Sequence, residues 1–195
     1  MQAAGFVLVG GRSSRMGRDK ALLEWNGHTL IEEVAGKVRS VAGNVALVGP
    51  AERYGALGFD CVPDLRPGLG PLAGIEAAIA TRRAQANLIV ACDLPGIKSA
   101  WLERLMRQAE ESGTQCALIR DGGGVVQPLC GVYMSACLPV IRRALDEGRL
   151  SVRHATEELE PRMVEIEEAL ANVNTPEDWD AWMRRRAALT TSHAG

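Results

Sequence analysis

Short apolar runs alternate with amphipathic stretches along the first two thirds of the chain. Residues 6–9 are apolar over the length of a strand, and so are residues 88–91 within a second predicted strand at 87–92, where the lack of alternation predicts burial on both faces. Between them, Leu30, Val34 and Val38 recur at the spacing of one helix face. Further strands are predicted at residues 44–48, 60–64, 115–119, 125–134 and 163–166.

Residues at the helix ends support these assignments. Thr29, with Glu32 three positions later, forms a capping box, and the helix that follows is expected to end near Gly43. Pro71 suits the first turn of a second helix, because the missing N–H of proline has no partner to lose there. A third helix is predicted from Ser99.

This order of elements predicts the fold class. Strands alternate with helices to about residue 119, which indicates an α/β fold with a doubly wound, mostly parallel, Rossmann-like sheet. Ligands of such sheets bind beyond the carboxyl ends of the strands. The less regular part after Gly122 predicts an antiparallel strand in the C-terminal half and the pocket of a second substrate. Pro128 lies inside a predicted strand, so we expect an edge position or a bulge there.

Composition and charge narrow the function classes. The 195 residues are 47% hydrophobic and 24% charged, which suits one compact domain. A formal charge of −2 provides no basic field for nucleic acid, so we expect a small anionic ligand and no nucleic-acid partner. Five cysteines without a C-x-x-C pair indicate unpaired thiols in a reducing compartment. No apolar run reaches membrane-spanning length and no signal-peptide pattern opens the chain, so we expect no membrane partner and a cytoplasmic location.

The first predicted strand leads into a glycine turn followed by basic residues. Gly10 and Gly11 let backbone N–H groups approach a ligand, while Arg12, Arg15 and Lys20 supply charge for phosphate oxygens. The spacing matches neither the P-loop pattern nor the dinucleotide-binding G-x-G-x-x-G pattern. From composition alone, a triphosphate site and an ordinary strand-to-loop connection are equally good interpretations.

Two further segments carry candidate ligand groups. Asp93 follows the buried strand at residues 87–92, where a carboxylate could hold Mg²⁺ against a triphosphate; the alternative is a cap for the turn before Pro95. Gly70 precedes the helix at Pro71, whose free N–H groups favour an anion or an electron-rich base edge; the alternative is a plain connecting loop.

The C-terminal part predicts a last helix with a strong cap. Thr175 is the expected N-cap and Pro176 the first helical residue, with Asp178 completing the cap. Trp179 and Trp182 are expected to pack on one face of this helix. Local capping explains residues 175–178 completely, so the pattern alone indicates no chemistry.

Four motifs in order resemble a single family. They are L-V-G-G-R-S-S-R-M-G at residues 8–17 with Asp19 and Lys20 behind it, G-P-L-A-G at 70–74, C-D-L-P at 92–95 and V-N-T-P-E-D at 173–178. Together they resemble the molybdenum-cofactor nucleotidyltransferases, the MobA family, over residues 5–178. The resemblance implies a sheet of the nucleotidyltransferase type. It also implies transfer of GMP from GTP to the terminal phosphate of molybdopterin, with release of pyrophosphate.

The resemblance implies roles for three groups of residues. The implied nucleotide-binding residues are Leu8, Val9, Gly10, Gly11, Arg12, Lys20, Asp64, Gly70 and Asp93. The implied catalytic residues are Arg15, Lys20 and Asp93, and Asp93 is also the implied ligand of Mg²⁺, the expected cofactor. The implied molybdopterin-binding residues are Gln127, Arg153, Asn172 and Asn174.

The same resemblance implies one nucleotidyltransferase domain over residues 1–189, with a disordered tail at 190–195. Its nucleotide-binding part covers about residues 1–120 and its molybdopterin-binding part about 121–189. GTP and molybdenum-loaded molybdopterin are the implied substrates, and we expect transient contact with molybdenum-insertion and molybdoenzyme-maturation proteins.

One position departs from the family pattern. Where the family has an asparagine for the nucleotide after the second strand of the sheet, this chain has Val48 or Gly49. Recognition of the base or ribose is therefore open, whereas the phosphate chemistry is unaffected. Two alternatives follow, a cytidylyltransferase that uses CTP and a scaffold that binds nucleotide and cofactor without catalysis.

Overall fold

The computed structural model of the protein describes residues 1–10, 19–25 and 27–191. The strands are β1 (Ala3–Leu8), β2 (Glu24–Trp25), β3 (His28–Thr29), β4 (Ala46–Val48), β5 (Asp60–Val62), β6 (Ala86–Ala91), β7 (Cys116–Arg120), β8 (Val126–Met134) and β9 (Arg162–Glu165). The α-helices are α1 (Leu30–Ala42), α2 (Ala51–Tyr54), α3 (Pro71–Ala80), α4 (Ser99–Ser112), α5 (Leu138–Asp146), α6 (Val152–Glu157) and α7 (Pro176–Thr191).

Seven of the described strands form one mixed sheet in the order β5-β4-β1-β6-β8-β7-β9. Neighbours are parallel from β5 to β6 and again between β7 and β9. Strand β8 runs antiparallel to both of its neighbours. The predicted α/β fold, with a mostly parallel sheet and an antiparallel strand in the C-terminal half, is confirmed. β2 and β3 pair separately as a small antiparallel ribbon.

The proline in β8 sits in a bulge of an interior strand. The register of β8 against β7 shifts between Leu118 and Ile119, which pair with Gly131 and Gln127. Residues 128–130 are therefore extra on the β8 side, and Pro128 falls where no N–H is needed for pairing with β7. The bulge alternative is confirmed and the edge alternative is wrong.

Apolar side chains of the central strands enter two layers on opposite faces of the sheet. Val7 of β1 belongs to the cluster shared with α1 and α4, whereas Phe6 belongs to the cluster shared with α3 and α5. In β6, Leu88 and Val90 enter the first cluster and Ile89 the second. Because both faces are covered, polar ligands reach the sheet at its edges, and the carboxyl edge of the parallel strands is the natural place.

Local signals set the helix boundaries as predicted. The Thr29 hydroxyl and the Glu32 carboxylate form a complete capping box at the start of α1, and Gly43 ends it with φ +76°. Pro71 is in the first turn of α3, directly after Gly70. Within the described ranges, no helix combines the length and the apolar character needed to cross a lipid bilayer.

Candidate active site

Three of the predicted site residues meet beyond the carboxyl ends of β1 and β6. Lys20 Nζ donates to Asp93 Oδ2 over 3.1 Å and to Asn174 Oδ1 over 2.8 Å. The side chains of Lys20 and Asp93 are 17% and 14% exposed, so solvent reaches the pair only in part. Charges in such a position are screened less than charges on an open surface, which suits binding of a phosphate. These residues form the Lys20–Asp93–Asn174 cluster.

A short 3₁₀ turn that begins at Lys20 sets the position of its side chain. Asp19 caps this turn, because its Oδ1 accepts a hydrogen bond from Ala21 N over 3.1 Å. Asp19 Oδ2 accepts a hydrogen bond from the hydroxyl of Tyr54 over 2.8 Å and lies 3.5 Å from Arg53 Nη1. Tyr54 is fully buried, and burial raises its pKa, so the phenol remains a donor at neutral pH. Helix α2 thus holds the turn that carries Lys20.

The Asp93 carboxylate has one oxygen without a hydrogen-bond partner among the described residues. Oδ2 faces Lys20 rather than the backbone of the turn, whereas Oδ1 is buried and makes no hydrogen bond to the described residues. A buried carboxylate oxygen without a partner is unfavourable unless a cation or a donor binds it. This atom fits Mg²⁺, which usually takes one or two carboxylates and completes its shell with phosphate oxygens and water. Across the described residues, no group of three His, Cys, Asp or Glu forms a metal site without such help.

Asn174 is brought to the cluster by the segment that precedes α7. The N–H of Val173 donates to the Asp93 carbonyl over 2.9 Å. Asp178 Oδ2 accepts from the N–H groups of Asn174 and Thr175 over 3.0 and 2.9 Å, and these hydrogen bonds lower the pKa of Asp178. The predicted cap is confirmed, and it fixes the backbone from which the Asn174 side chain projects.

Asp64 and Gly70 lie farther along the same edge of the sheet, after β5. Asp64 Oδ1 accepts a hydrogen bond from Arg66 N over 2.9 Å, and Gly70 adopts φ +80° immediately before α3. Strand β5 is three strand spacings from β6, which is about 14 Å. The two predicted nucleoside residues are therefore separate from the Lys20–Asp93–Asn174 cluster, and only an extended ligand could contact both.

The end of β4 provides no side chain for a ligand. Val48 is 3% exposed and packs in the core. A Cβ atom at Gly49 would lie 2.4 Å from the Val9 carbonyl oxygen, so no larger residue fits there without movement of the backbone. The Gly49 N–H donates to the Val62 carbonyl. The asparagine role implied by the resemblance therefore has no equivalent at either position.

Backbone groups at the end of β1 are already partly used by the sheet. The Leu8 carbonyl accepts from Cys92 N over 3.1 Å, and Val9 N donates to the Val48 carbonyl over 3.0 Å. Gly10 follows with φ +115°, a conformation that favours glycine. Backbone contacts to a nucleotide are thus expected from the Val9 carbonyl onward. Three residues with predicted nucleotide or phosphate roles lie outside the described residues, and their roles stay predictions: Gly11, Arg12 and Arg15.

The other predicted molybdopterin residues have different surroundings. Gln127 is buried and its Nε2 donates to Asp121 Oδ2 over 3.0 Å. Arg153 is on α6, 73% exposed, with Nε 3.2 Å from Glu157 Oε1. Asn172 is exposed and lies two residues before Asn174. Their roles toward molybdopterin stay predictions.

Sequence reasoning missed the residues that hold the cluster in place. Asp19 could have been found, because an aspartate directly before a short turn is a typical cap. Tyr54 could not, because its contact with Asp19 joins residues 35 positions apart on different elements. Sequence reasoning also missed Glu76, a buried carboxylate in α3 that pairs with Arg66 and Arg142 near the loop between β5 and α3 rather than at the cluster.

Comparison with known proteins first identifies the class of protein to which the chain belongs. The model of the MobA-like NTP transferase domain matches residues 5–163, which is most of the chain. The 2-C-methyl-D-erythritol 4-phosphate cytidylyltransferase of Thermus thermophilus shares the fold, with a TM-score of 0.72 at 18% identity over 96% of this chain and 100% of that chain. Because the family model covers more than half of the chain, the chain is a nucleotidyltransferase.

Relatives then give the family. The probable molybdenum cofactor guanylyltransferase of Pelotomaculum thermopropionicum is 39% identical over 188 residues, covering 91% of this chain and 90% of that protein. The molybdenum cofactor guanylyltransferase of Pseudomonas syringae pv. syringae is 36% identical over 177 residues, covering 87% and 88%. Molybdopterin-guanine dinucleotide biosynthesis protein A of Archaeoglobus fulgidus superposes with a TM-score of 0.79 at 25% identity over 95% and 99%. The chain belongs to the MobA-like family of molybdenum cofactor guanylyltransferases.

Proposed function

We propose that the protein transfers GMP from GTP to the terminal phosphate of molybdenum-loaded molybdopterin, in a reaction that depends on Mg²⁺ and releases pyrophosphate. The observation that carries this proposal is the Lys20–Asp93–Asn174 cluster, with a buried carboxylate oxygen left without a partner among the described residues. Transient contact with molybdenum-insertion and molybdoenzyme-maturation proteins stays a prediction.

The proposed reaction requires alignment of the two phosphates and stabilisation of charge on the leaving pyrophosphate, and it requires no proton transfer by the protein. An oxygen of the molybdopterin phosphate forms a bond to the α-phosphorus of GTP, and the bond from that phosphorus to the β-phosphate breaks, so that its electron pair leaves with pyrophosphate. A phosphate is already anionic near neutral pH, so the nucleophile needs no general base. The protein has to bring two anions together and stabilise the charge that develops on the leaving group.

Lys20 is the described residue best placed to do this. Its ammonium group donates to Asp93 and Asn174 and has further donor capacity for a phosphate oxygen. Asn174 limits the orientations of the ammonium group without neutralising its charge. Because Asn174 comes from the C-terminal segment, the half expected to bind molybdopterin also contributes to the position of the phosphate-binding lysine.

Asp93 Oδ1 is the atom suited to hold Mg²⁺. When bound there, the ion would neutralise charge on the phosphate oxygens of the nucleotide. The carboxylate can keep its hydrogen bond from Lys20 through Oδ2 and still offer Oδ1.

The nucleotide assignment is tested by the release of pyrophosphate from GTP, CTP, ATP and UTP with molybdopterin as acceptor. We expect the highest kcat/KM with GTP. A preference for CTP would overturn the base assignment and leave the reaction class in place. Binding of nucleotide with no turnover of any of the four would support the scaffold alternative instead.

The metal assignment is tested with Asp93→Asn, which keeps the shape of the side chain and removes its charge. We expect kcat to fall on the order of 100-fold, because a group that stabilises developing charge in the transition state is lost. Asp60→Asn is the control, since Asp60 is 61% exposed at the amino end of β5 and pairs with Arg83. If kcat of the Asp93 variant stays within threefold of wild type, the metal assignment is wrong.

A further inference from the structure

A buried carboxylate on α3 anchors the loop that follows β5. Glu76 is 2% exposed. Its Oε2 lies 2.9 Å from Nε of Arg66, which belongs to this loop, and its Oε1 accepts a hydrogen bond from Nε of Arg142 on α5 over 2.9 Å. A carboxylate at this depth needs such partners, and Glu76 has an ion pair with Arg66 at Oε2 and a hydrogen bond from Arg142 at Oε1.

Arg66 connects the β5–α3 loop, residues 63–70, to two helices. Its backbone N–H donates to Asp64 Oδ1 over 2.9 Å, which orients that carboxylate. Its guanidinium pairs with Glu76 on α3 and donates to Asp146 Oδ1 on α5 over 2.6 Å. The Arg66 side chain therefore connects the loop that contains Asp64 and Gly70 to helices α3 and α5.

The end of β4 has no space for a side chain that could contact a base, so the β5–α3 loop is the next candidate for that contact. Val48 is buried and Gly49 has no room for a side chain, so neither residue offers a side chain for recognition of the base. The next segment along the carboxyl edge is the β5–α3 loop, which offers the Asp64 carboxylate and the backbone before α3. Among the described residues at this edge, the polar groups of this loop are therefore candidates for contact with the base, and the Arg66 N–H orients the Asp64 carboxylate among them.

We propose that Arg66, anchored on Glu76, is a positioning residue that holds the β5–α3 loop in its nucleoside-binding form and thereby sets the preference for GTP over CTP. The proposal rests on the nucleotide transfer described above. When a loop is ordered before the ligand binds, the binding free energy does not have to cover the entropic cost of ordering the loop. The base that makes the most contacts with the ordered loop gains the most affinity from this.

The test compares two arginines on the same carboxylate. Arg66→Met removes the partner in the loop, whereas Arg142→Met removes the partner on α5 and leaves the loop attached. Binding of each of the four nucleoside triphosphates with Mg²⁺ is measured by calorimetry, and kcat and KM are measured by pyrophosphate release. We expect Arg66→Met to weaken GTP binding about tenfold, to weaken CTP binding less and to leave kcat within twofold. Arg142→Met should lower the melting temperature but leave GTP binding within twofold.

Two more variants separate positioning from direct contact. Glu76→Gln keeps Arg66 but weakens its anchor, so it should also reduce the preference for GTP, and Arg66→Lys should restore part of it. Equal weakening by Arg66→Met and Arg142→Met would overturn the proposal, because the effect would then come from general destabilisation. Weakening by Arg66→Met without any effect of Glu76→Gln would also overturn it, because Arg66 would then bind the nucleotide itself.

Failure of this inference and failure of the proposed function give different results. If wild type turns over GTP and Arg66→Met binds it normally, only the inference fails. If wild type prefers another triphosphate, the base assignment fails and the positioning role is judged on the preferred nucleotide. If wild type binds no nucleoside triphosphate, both fail.

Discussion

At the scale of single residues, the position of Lys20 depends on side chains outside the Lys20–Asp93–Asn174 cluster. Asp19 receives hydrogen bonds from Ala21 N and from the Tyr54 hydroxyl, one from within its own turn and one from α2. The second bond joins the turn to the body of the protein. A substitution at Tyr54 can therefore displace Lys20 through the loss of the hydrogen bond between Tyr54 and Asp19.

Tyr54→Phe should reduce turnover without removing any group from the site. The substitution deletes the 2.8 Å hydrogen bond to the Asp19 carboxylate, and a hydrogen bond to a charged group is worth about 1.5–3 kcal/mol. We expect kcat to fall about fivefold while KM for GTP changes less than twofold, because Lys20 would spend less time in its productive position. Steady-state kinetics by pyrophosphate release provide the measurement.

Tyr133→Phe is the matched control for this variant. Tyr133 is also fully buried, and its hydroxyl donates to the Pro128 carbonyl, which belongs to β8 rather than to the turn of Lys20. Both variants should lose stability, and only Tyr54→Phe should lose kcat. Equal losses of kcat in both would show that Tyr54 acts through general stability alone.

At the scale of elements, one buried carboxylate joins the turn between β7 and β8 to the segment that leads to α7. Asp121 is 4% exposed. Its Oδ1 accepts from the N–H groups of Gly123 and Val125 over 2.9 and 3.0 Å. Its Oδ2 accepts from Gln127 Nε2 over 3.0 Å and from Leu170 N over 3.2 Å. Asp121 thus links two segments far apart in the sequence, and the second of them continues to Asn174.

Asp121→Asn should destabilise the protein most at neutral pH. Burial alone would raise the pKa of Asp121, but the hydrogen bonds from Gln127 and the three backbone N–H groups outweigh it and lower the pKa. A lowered folded-state pKa means that this carboxylate stabilises the fold above its ordinary pKa and that the stabilisation is lost as pH falls through the lowered value. Since one amide oxygen cannot replace two carboxylate oxygens, we expect a loss of about 1–3 kcal/mol at pH 7.

Urea denaturation of wild type and Asp121→Asn from pH 7 toward acid provides the measurement. The difference in unfolding free energy between them should shrink as pH falls, because only wild type loses the contribution of the carboxylate. Asp60→Asn, at an exposed ion pair, should change stability by less than about 1 kcal/mol. A difference that stays constant with pH would show that the ionised form of Asp121 is not what stabilises the fold.

At the scale of the whole molecule, the site exists because two parts of the chain meet at one edge of the sheet. The parallel strands bring Lys20 and Asp93 together, and the C-terminal segment adds Asn174. An apolar cluster of Leu23, Leu30, Val173, Trp179 and Trp182 packs the terminal helix against the turn that follows Lys20 and the start of α1. The predicted packing face of that helix is confirmed, and its burial keeps Asn174 in reach of Lys20.

Much of this architecture could be predicted because its signals are local. The run at 87–92 indicated a strand covered on both faces, and Thr29, Gly43 and Pro71 marked helix ends through their own backbone chemistry. The four motifs, taken in order, were enough to predict that Lys20 and Asp93 belong to the same site. The position of Pro128 could be narrowed only to two alternatives, because a proline shows that an N–H is missing but not which strand lies beside it.

The amino-acid sequence by itself therefore determined the class of fold and the ends of several helices, since these follow from residue type and spacing along the chain, and the order of its motifs selected Lys20 and Asp93. Only the tertiary structure decided which groups hold them in place. The contacts of Tyr54 with Asp19 and of Lys20 with Asn174 join residues 35 and 154 positions apart. Such pairings depend on how strands are ordered and helices are packed, and no local pattern near either residue specifies them.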